Sequence, residues 1–143
     1  MEHFPEFVAN HLFLFIMLAV ILSLLIWNLY GDVLSGIKQV VPIEAIRLIN
    51  HEQAVVIDVR SGGDYDGGHI LNAIHSLADE LSNSIGKLEK YRKQAVIIYC
   101  ANGSESSKAA RLFMQDGFEK VYCLKGGILA WKNANLPLTR KSG

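Results

Sequence analysis

Two hydrophobic patterns divide the chain. From Phe7 to Gly31 no side chain carries a formal charge, and Leu12 to Trp27 reads LFLFIMLAVILSLLIW, with Ser23 its one polar position. Apolar residues fall on every side of such a helix, so it demands lipid or a wholly apolar surround. Continued through Asn28, Leu29 and Tyr30 it has 19 residues. At about 1.5 Å rise each this is about 28 Å, close to one bilayer core. Trp27 and Tyr30 stand at its end, where amphipathic rings favour the interface. Residues 7–30 therefore read as a transmembrane helix after a flank, residues 1–6. A cleavable signal peptide would show Lys or Arg ahead of a shorter run and small residues at a cleavage site; MEHFPEF and WNLYGDV offer neither.

After a linker, residues 31–39, the pattern changes to short β-branched runs between helical ones, and residues 40–143 form a separate domain. Val40-Val41 is a brief strand. Pro42 suits the first turn of a helix that spaces Ile43, Ile46 and Ile49. Ala54 to Val59 is a buried strand, SGGDYDGGH a glycine-rich loop, and Ala73-Ile74 a further short strand. Leu77 to Tyr91 is weakly helical. Ala95 to Cys100 is the clearest strand, and Ser106 to Gln115 a helix with Ala109, Ala110, Phe113 and Met114 on one side, stopped by Gly117. Val121 to Leu124 is the last strand, and a helix carrying Ile128, Leu129, Ala130 and Trp131 follows Gly126-Gly127. Strands alternating with helices predict an α/β fold, a mostly parallel sheet with helices on both faces, preceded by one transmembrane helix.

Charge sharpens the division. The 143 residues carry 14 Lys+Arg and 14 Asp+Glu, a balance that speaks against a nucleic-acid partner held by a basic patch. Every Lys and Arg lies at Lys38 or beyond. The positive-inside rule then places the N-terminus outside and the domain in the cytoplasm, on the cell (inner) membrane, with the lipid bilayer as a partner. Two cysteines exclude a disulfide scaffold and a four-Cys zinc site. The five histidines show no metal-ligand spacing.

Open α/β sheets place their sites beyond the carboxyl ends of the strands, which directs attention to Cys100. Ala101-Asn102-Gly103-Ser104-Glu105 follows, and Ser106-Ser107 are in position to cap the next helix. A strand, a tight loop and a helix N-terminus form a nest of N–H groups that binds anions. A sulfur there is favoured as thiolate, the nucleophilic form, and a persulfide would be held by the same donors. The plain alternative is a small buried hydrophobe. Asp58 and Arg60 leave a neighbouring strand, either as an ion pair or as a brace for the Cys100 loop. His69 reads as a residue that orders its loop, Cys123 as core, and Lys87, Lys90, Arg92 and Lys93 as a solvated face. Gly126-Gly127, ahead of a helix, reads as a tight turn, with anion binding as the alternative.

Three segments resemble the rhodanese (sulfurtransferase) family. Asp58-Val59-Arg60, Asp64-Tyr65, Gly68-His69-Ile70 and Ala73-Ile74 are similar to the family's D-V-R-x-x-x-[ED]-[YF]-x-x-G-H-I-x-x-A stretch. Tyr99-Cys100-Ala101-Asn102-Gly103-Ser104-Glu105-Ser106 looks like its active loop. Gly117-Phe118, Val121-Tyr122, Leu124, Gly126-Gly127 and Ala130-Trp131, with Leu136-Pro137-Leu138, are similar to its closing segment. The resemblance covers roughly Val40 to Leu138. It implies a rhodanese-like fold and a catalytic Cys100 that takes a sulfane sulfur from a small donor, thiosulfate or a persulfide, and hands it to a thiol or an acceptor protein. Residues 101–106 would bind the anion, Asp58 and Arg60 would support them, and no metal or organic cofactor is implied.

The chain departs from that pattern at two points. Ala101 stands where the family often has Arg, and Glu105 where Arg, Lys, Thr or Ser is usual. A carboxylate facing the site would repel a dianionic donor; one pointing outward from the first helical turn would sit well with the helix dipole. These departures motivate the alternative of a membrane-tethered binding module without turnover. The fold's phosphatase relatives use C-x5-R; the Arg position is Ser106 here, so the oxyanion clamp for phosphoryl transfer is missing.

Overall fold

The computed structural model describes residues 10–34 and 36–140, in two units that meet at Gly36–Ile37. The expected flank 1–6 and the first three residues of the expected anchor lie outside the described residues.

Among its described residues the first unit holds the helix α1 (Leu12–Leu34). Its stretch Leu12–Tyr30 is long and apolar enough to cross a membrane. From Leu12 to Tyr30 nearly all its large hydrophobic side chains, Phe13 and Trp27 among them, are exposed rather than gathered in a core. Ser23 donates its hydroxyl to the Ala19 carbonyl at 2.7 Å, so the polar side chain inside the run from Leu12 to Trp27 is satisfied within the helix, as an apolar surround requires. The helix runs past Gly31 because one glycine costs only about 1 kcal/mol in a helix already nucleated. Strand β1 (Lys38–Val40) begins earlier than Val40-Val41. Both ends of the segment 31–39, read from sequence as linker, thus belong to regular structure.

The second unit is an α/β domain. Helix α2 (Pro42–Glu52) follows β1, with the Glu44 carboxylate accepting the Val41 N–H at 3.3 Å. Then come β2 (Val55–Asp58), α3 (Gly62–Gly67), β3 (Ile74–His75), the short α4 (Leu81–Ser84) continuing as a 3-10 helix (Ile85–Tyr91), β4 (Ala95–Tyr99), α5 (Ser106–Gln115), β5 (Lys120–Leu124) and α6 (Gly127–Asn133). The sheet order is β1-β5-β4-β2-β3, and every pairing in it is parallel.

Alternation along β4 sorts the core into two layers. Val96, Ile98 and Cys100 face Leu81, Ile85, Leu88, Ala109, Ala110 and Phe113. Ile97 and Tyr99 face Ala45, Ile70, Ile128 and Trp131. Helices therefore cover both faces, as parallel strands require. Chain direction supplies the site. From β2 the chain moves outward to β3, whereas from β4 it moves the other way to β5. The carboxyl ends of β2 and β4 flank a topological switch point, where open α/β sheets bind ligands.

Four expectations shift. SGGDYDGG is not all loop: Ser61 caps α3, its hydroxyl oxygen accepting the Asp64 N–H at 3.3 Å. Ile43, Met114 and Leu129 are exposed, because the buried stripes of α2, α5 and α6 run through Ala45, through Ala109, Ala110 and Phe113, and through Ile128 and Trp131. Ser106 and Ser107 do not cap α5; Glu105 occupies the cap position without a side-chain bond. Arg92 is not simply solvated, since it pairs with Asp116 at 2.9 Å and Glu89 at 3.1 Å.

Candidate active site

Cys100 is the first residue after β4 and is 1% exposed. Its side chain lies on the α5 side of the sheet. The chain turns at once: Gly103, at φ 99°, brings its backbone N–H to 2.9 Å from the Cys100 Sγ. A β-carbon at Gly103 would lie 3.3 Å from the Gly126 nitrogen, so both conformation and space call for glycine. Two side chains fix the loop. The Asn102 Oδ1 accepts the Ser104 N–H at 3.2 Å and its hydroxyl at 2.8 Å. Ser106, buried, donates its hydroxyl to the Gly103 carbonyl at 2.9 Å. Helix α5 starts at Ser106, and its first-turn N–H groups have no acceptor within the helix. Glu105 is exposed.

The carbonyl side of the loop is held from behind. The Ile128 N–H donates to the Cys100 carbonyl at 2.9 Å and the Leu129 N–H to the Ala101 carbonyl at 3.4 Å. This contact needs Gly127, at φ 60°; a β-carbon there would sit 2.3 Å from the Cys100 carbonyl oxygen and 2.8 Å from the Ala101 carbonyl carbon. Both obstacles are backbone. Gly127→Ala is therefore expected to cost more than about 2 kcal/mol and to displace the loop. The measurement is the urea midpoint together with Cys100 reactivity toward a thiol probe. A variant unchanged in both would contradict this account of the turn.

Asp58 and Arg60 come from the end of β2. The Asp58 carboxylate, fully buried, accepts from Arg60 Nε at 3.0 Å, Arg60 Nη2 at 2.7 Å, the Arg60 N–H at 3.0 Å and the Tyr99 hydroxyl at 2.6 Å. Arg60 Nη2 also donates to the Gly68 carbonyl at 2.8 Å, and its guanidinium lies 5.4 Å from the Tyr99 ring centre. The Ile70 N–H donates to the Tyr99 hydroxyl at 3.2 Å. Among the described residues, Arg60 bonds to none of residues 101–106; the ion-pair expectation describes it, and it reaches the cysteine strand through Tyr99. His69 orders its loop as expected: its Nδ1 lies 2.7 Å from the Tyr65 carbonyl, and its backbone exchanges two 2.8 Å bonds with Thr139. Cys123 is buried core, as read.

Sequence reading missed Tyr99. The available signal was a hydroxyl-bearing ring ending an otherwise aliphatic strand, AVIIY, directly before the cysteine. Burial, then the hydrogen bond and charge of Asp58, hold its phenol well above its ordinary value. Burial pulls the Arg60 guanidinium down, but the bond to and charge of Asp58 outweigh it and leave it raised. The sign for Tyr99 follows by linkage. The folded phenol stays protonated where the unfolded one ionises, so its contribution is complete below about pH 10 and is lost as pH rises beyond. Urea unfolding at several pH values should show stability falling above that point, and Tyr99→Phe should flatten the fall. Parallel curves would refute this assignment.

The fold and site together define a class: parallel α/β domains that present a cysteine in a strand–loop–helix nest at the switch point. The rhodanese-like domain profile matches residues 41–134, and the chain belongs to the rhodanese-like domain family. It is 35% identical over 141 residues to the uncharacterized protein YibN of Escherichia coli K12, an alignment covering 98% of this chain and 99% of that one. It is 35% identical over 100 residues to the thiosulfate sulfurtransferase GlpE of Coxiella burnetii, covering 66% of this chain and 87% of that protein. Among solved structures, the rhodanese-related protein of Thermoplasma volcanium superposes with a TM-score of 0.65 at 25% identity, covering 71% of this chain and 97% of that one.

Proposed function

We propose that the protein is a membrane-anchored sulfurtransferase that carries sulfane sulfur as a Cys100 persulfide. The observation that carries this reading is the Gly103 N–H directed at the Cys100 Sγ from 2.9 Å, at the mouth of a loop whose next amides open a helix. The Cys100 thiolate attacks the outer sulfur of the donor, thiosulfate or a persulfide. The donor's S–S bond breaks, and sulfite or a thiolate departs with the electron pair. The loop amides hold the anionic persulfide. An acceptor thiolate then attacks the terminal sulfur, the Cys100 S–S bond breaks, and Cys100 leaves as thiolate. No net oxidant is consumed. Likeness to the Coxiella sulfurtransferase supports the reaction class. The apolar α1 and the confinement of Lys and Arg to Lys38 and beyond support an inner-membrane anchor with the domain in the cytoplasm. The test is intact mass of the purified full chain after donor treatment. A gain of one sulfur, about 32 Da, on Cys100 is expected. Its absence with every donor would leave a tethered binding module instead.

A further inference from the structure

Ser107 is the second residue of helix α5 and is 6% exposed. Its hydroxyl is closed to solvent and has no hydrogen-bond partner among the described residues. The one other buried side-chain atom in that state among them is Arg92 Nε, whose guanidinium is otherwise paired with Glu89 and Asp116. A hydroxyl buried without a partner forfeits its bonds to water and gains none in return. Ser106 beside it shows the ordinary solution, donating to the Gly103 carbonyl at 2.9 Å. Ser107 does not share that acceptor.

Its place in the helix gives the unpaired group a direction. The Cα–Cβ bonds of an α-helix tilt toward the N-terminus, so a first-turn side chain leans over the loop that enters the helix. That loop is residues 101–105, and the amides of the same turn lack acceptors within the helix. Ser107 belongs to the buried face of α5 together with Ala109 and Ala110, and these two pack in one core layer with Cys100. The Gly103 N–H reaches the Cys100 Sγ at 2.9 Å, whereas the Ser107 hydroxyl makes no bond to that sulfur. The end of the helix thus holds one more donor than the bare thiol can use.

We infer that Ser107 donates its hydroxyl to the terminal sulfur of the Cys100 persulfide. This inference rests on the sulfur-transfer reading and adds a residue to it. The persulfide sets a second, anionic sulfur about 2 Å beyond Sγ, toward a helix N-terminus that favours negative charge. The proton stays on Ser107, and no bond forms or breaks there beyond the hydrogen bond. Because Cys100 and Ser107 are both buried, this acceptor arrives attached to the cysteine and needs no open path of its own. The unloaded chain carries an unpaired hydroxyl and the loaded chain does not, which biases the site toward holding sulfur.

The experiment uses the full chain in detergent and a reversible exchange. Cys100 thiolate and thiosulfate give the persulfide and sulfite; one S–S bond forms as another breaks. At a fixed ratio of thiosulfate to sulfite, the loaded fraction is read by intact mass, approached both from the unloaded chain and from chain loaded with inorganic tetrasulfide. Ser107→Ala is expected to lower the ratio of loaded to unloaded chain about tenfold, as loss of a hydrogen bond to a charged acceptor does. The urea midpoint separates this from a structural role: in the unloaded state Ser107→Ala should match or exceed wild type, and only in the loaded state should it fall below. Equal loaded fractions, or a midpoint lowered alike in both states, would overturn the assignment of Ser107 while leaving sulfur transfer standing. Failure of the wild-type chain to acquire sulfur from either reagent would overturn both.

Discussion

Cys100→Ser is expected to abolish sulfur transfer, by at least about a thousandfold, and to leave the domain folded. Serine nearly matches cysteine in size, and its hydroxyl can accept the Gly103 N–H that now reaches Sγ from 2.9 Å. The loop therefore keeps its geometry. A neutral hydroxyl is a poor nucleophile toward sulfane sulfur and forms no persulfide, so both the mass adduct and turnover should vanish. Cys123 provides the internal control. It is equally buried, it sits inside β5 rather than at a strand end, and Cys123→Ser should retain the adduct. If Cys100→Ser still acquires sulfur while Cys123→Ser does not, the wrong cysteine carries the proposal. If both retain turnover, neither cysteine alone is required and the assignment of the persulfide to Cys100 fails.

Much of this was legible in the sequence, and the reasons differ by element. The run AVIIYC is legible because a strand buried on both faces has no polar alternation to confuse it, and β4 is buried at all five positions. Helix α5 matches its expected bounds, Ser106 to Gln115, because a glycine loop precedes it and Gly117 follows. The Cys100 loop was visible because strand, turn and helix signals meet within eight residues. Strand β1 was less visible: two of its three residues are exposed, and only pairing with β5 makes it a strand. Helix α3 was hidden because its sequence, GGDYDG, disfavours a helix at most positions; Ser61 at the cap and the Tyr65 hydroxyl bonded to the Ala73 carbonyl at 2.9 Å hold it. These are tertiary effects, which override weak local propensity. The roles of Tyr99 and Gly127 were hidden for a related reason. Each depends on what lies across space, Asp58 in one case and the Cys100 carbonyl in the other, and spacing along the chain says nothing of either.

Asp58→Ala is expected to be the most destabilising single change in the domain, by about 3–5 kcal/mol. The carboxylate is fully buried and accepts hydrogen bonds from four donor groups, the Arg60 N–H, Nε and Nη2 and the Tyr99 hydroxyl. Its removal strands a guanidinium that is 7% exposed, along with a buried phenol. Total stability of a domain this size is typically about 5–15 kcal/mol, so the loss takes a large share of it. The urea midpoint of the full chain, read by tryptophan fluorescence, measures the effect. The cause is separable from simple loss of packing. Replacing a buried pair together is far less costly than breaking it, because no uncompensated charge remains. Asp58→Ala/Arg60→Met should therefore recover a good part of what Asp58→Ala loses, with a coupling energy well above the few tenths of a kcal/mol expected of independent sites. If the double variant is instead as unstable as the sum of its parts, the pair is not a unit, and Asp58 acts mainly through Tyr99. The two cases also differ at the site. Tyr99 immediately precedes Cys100, and its hydroxyl is held by Asp58 on one side and by the Ile70 N–H on the other. An Asp58 that works through Tyr99 should slow acquisition of sulfur by Cys100 in the double variant even where stability is recovered. An Asp58 that serves only to neutralise Arg60 should leave that rate near wild type.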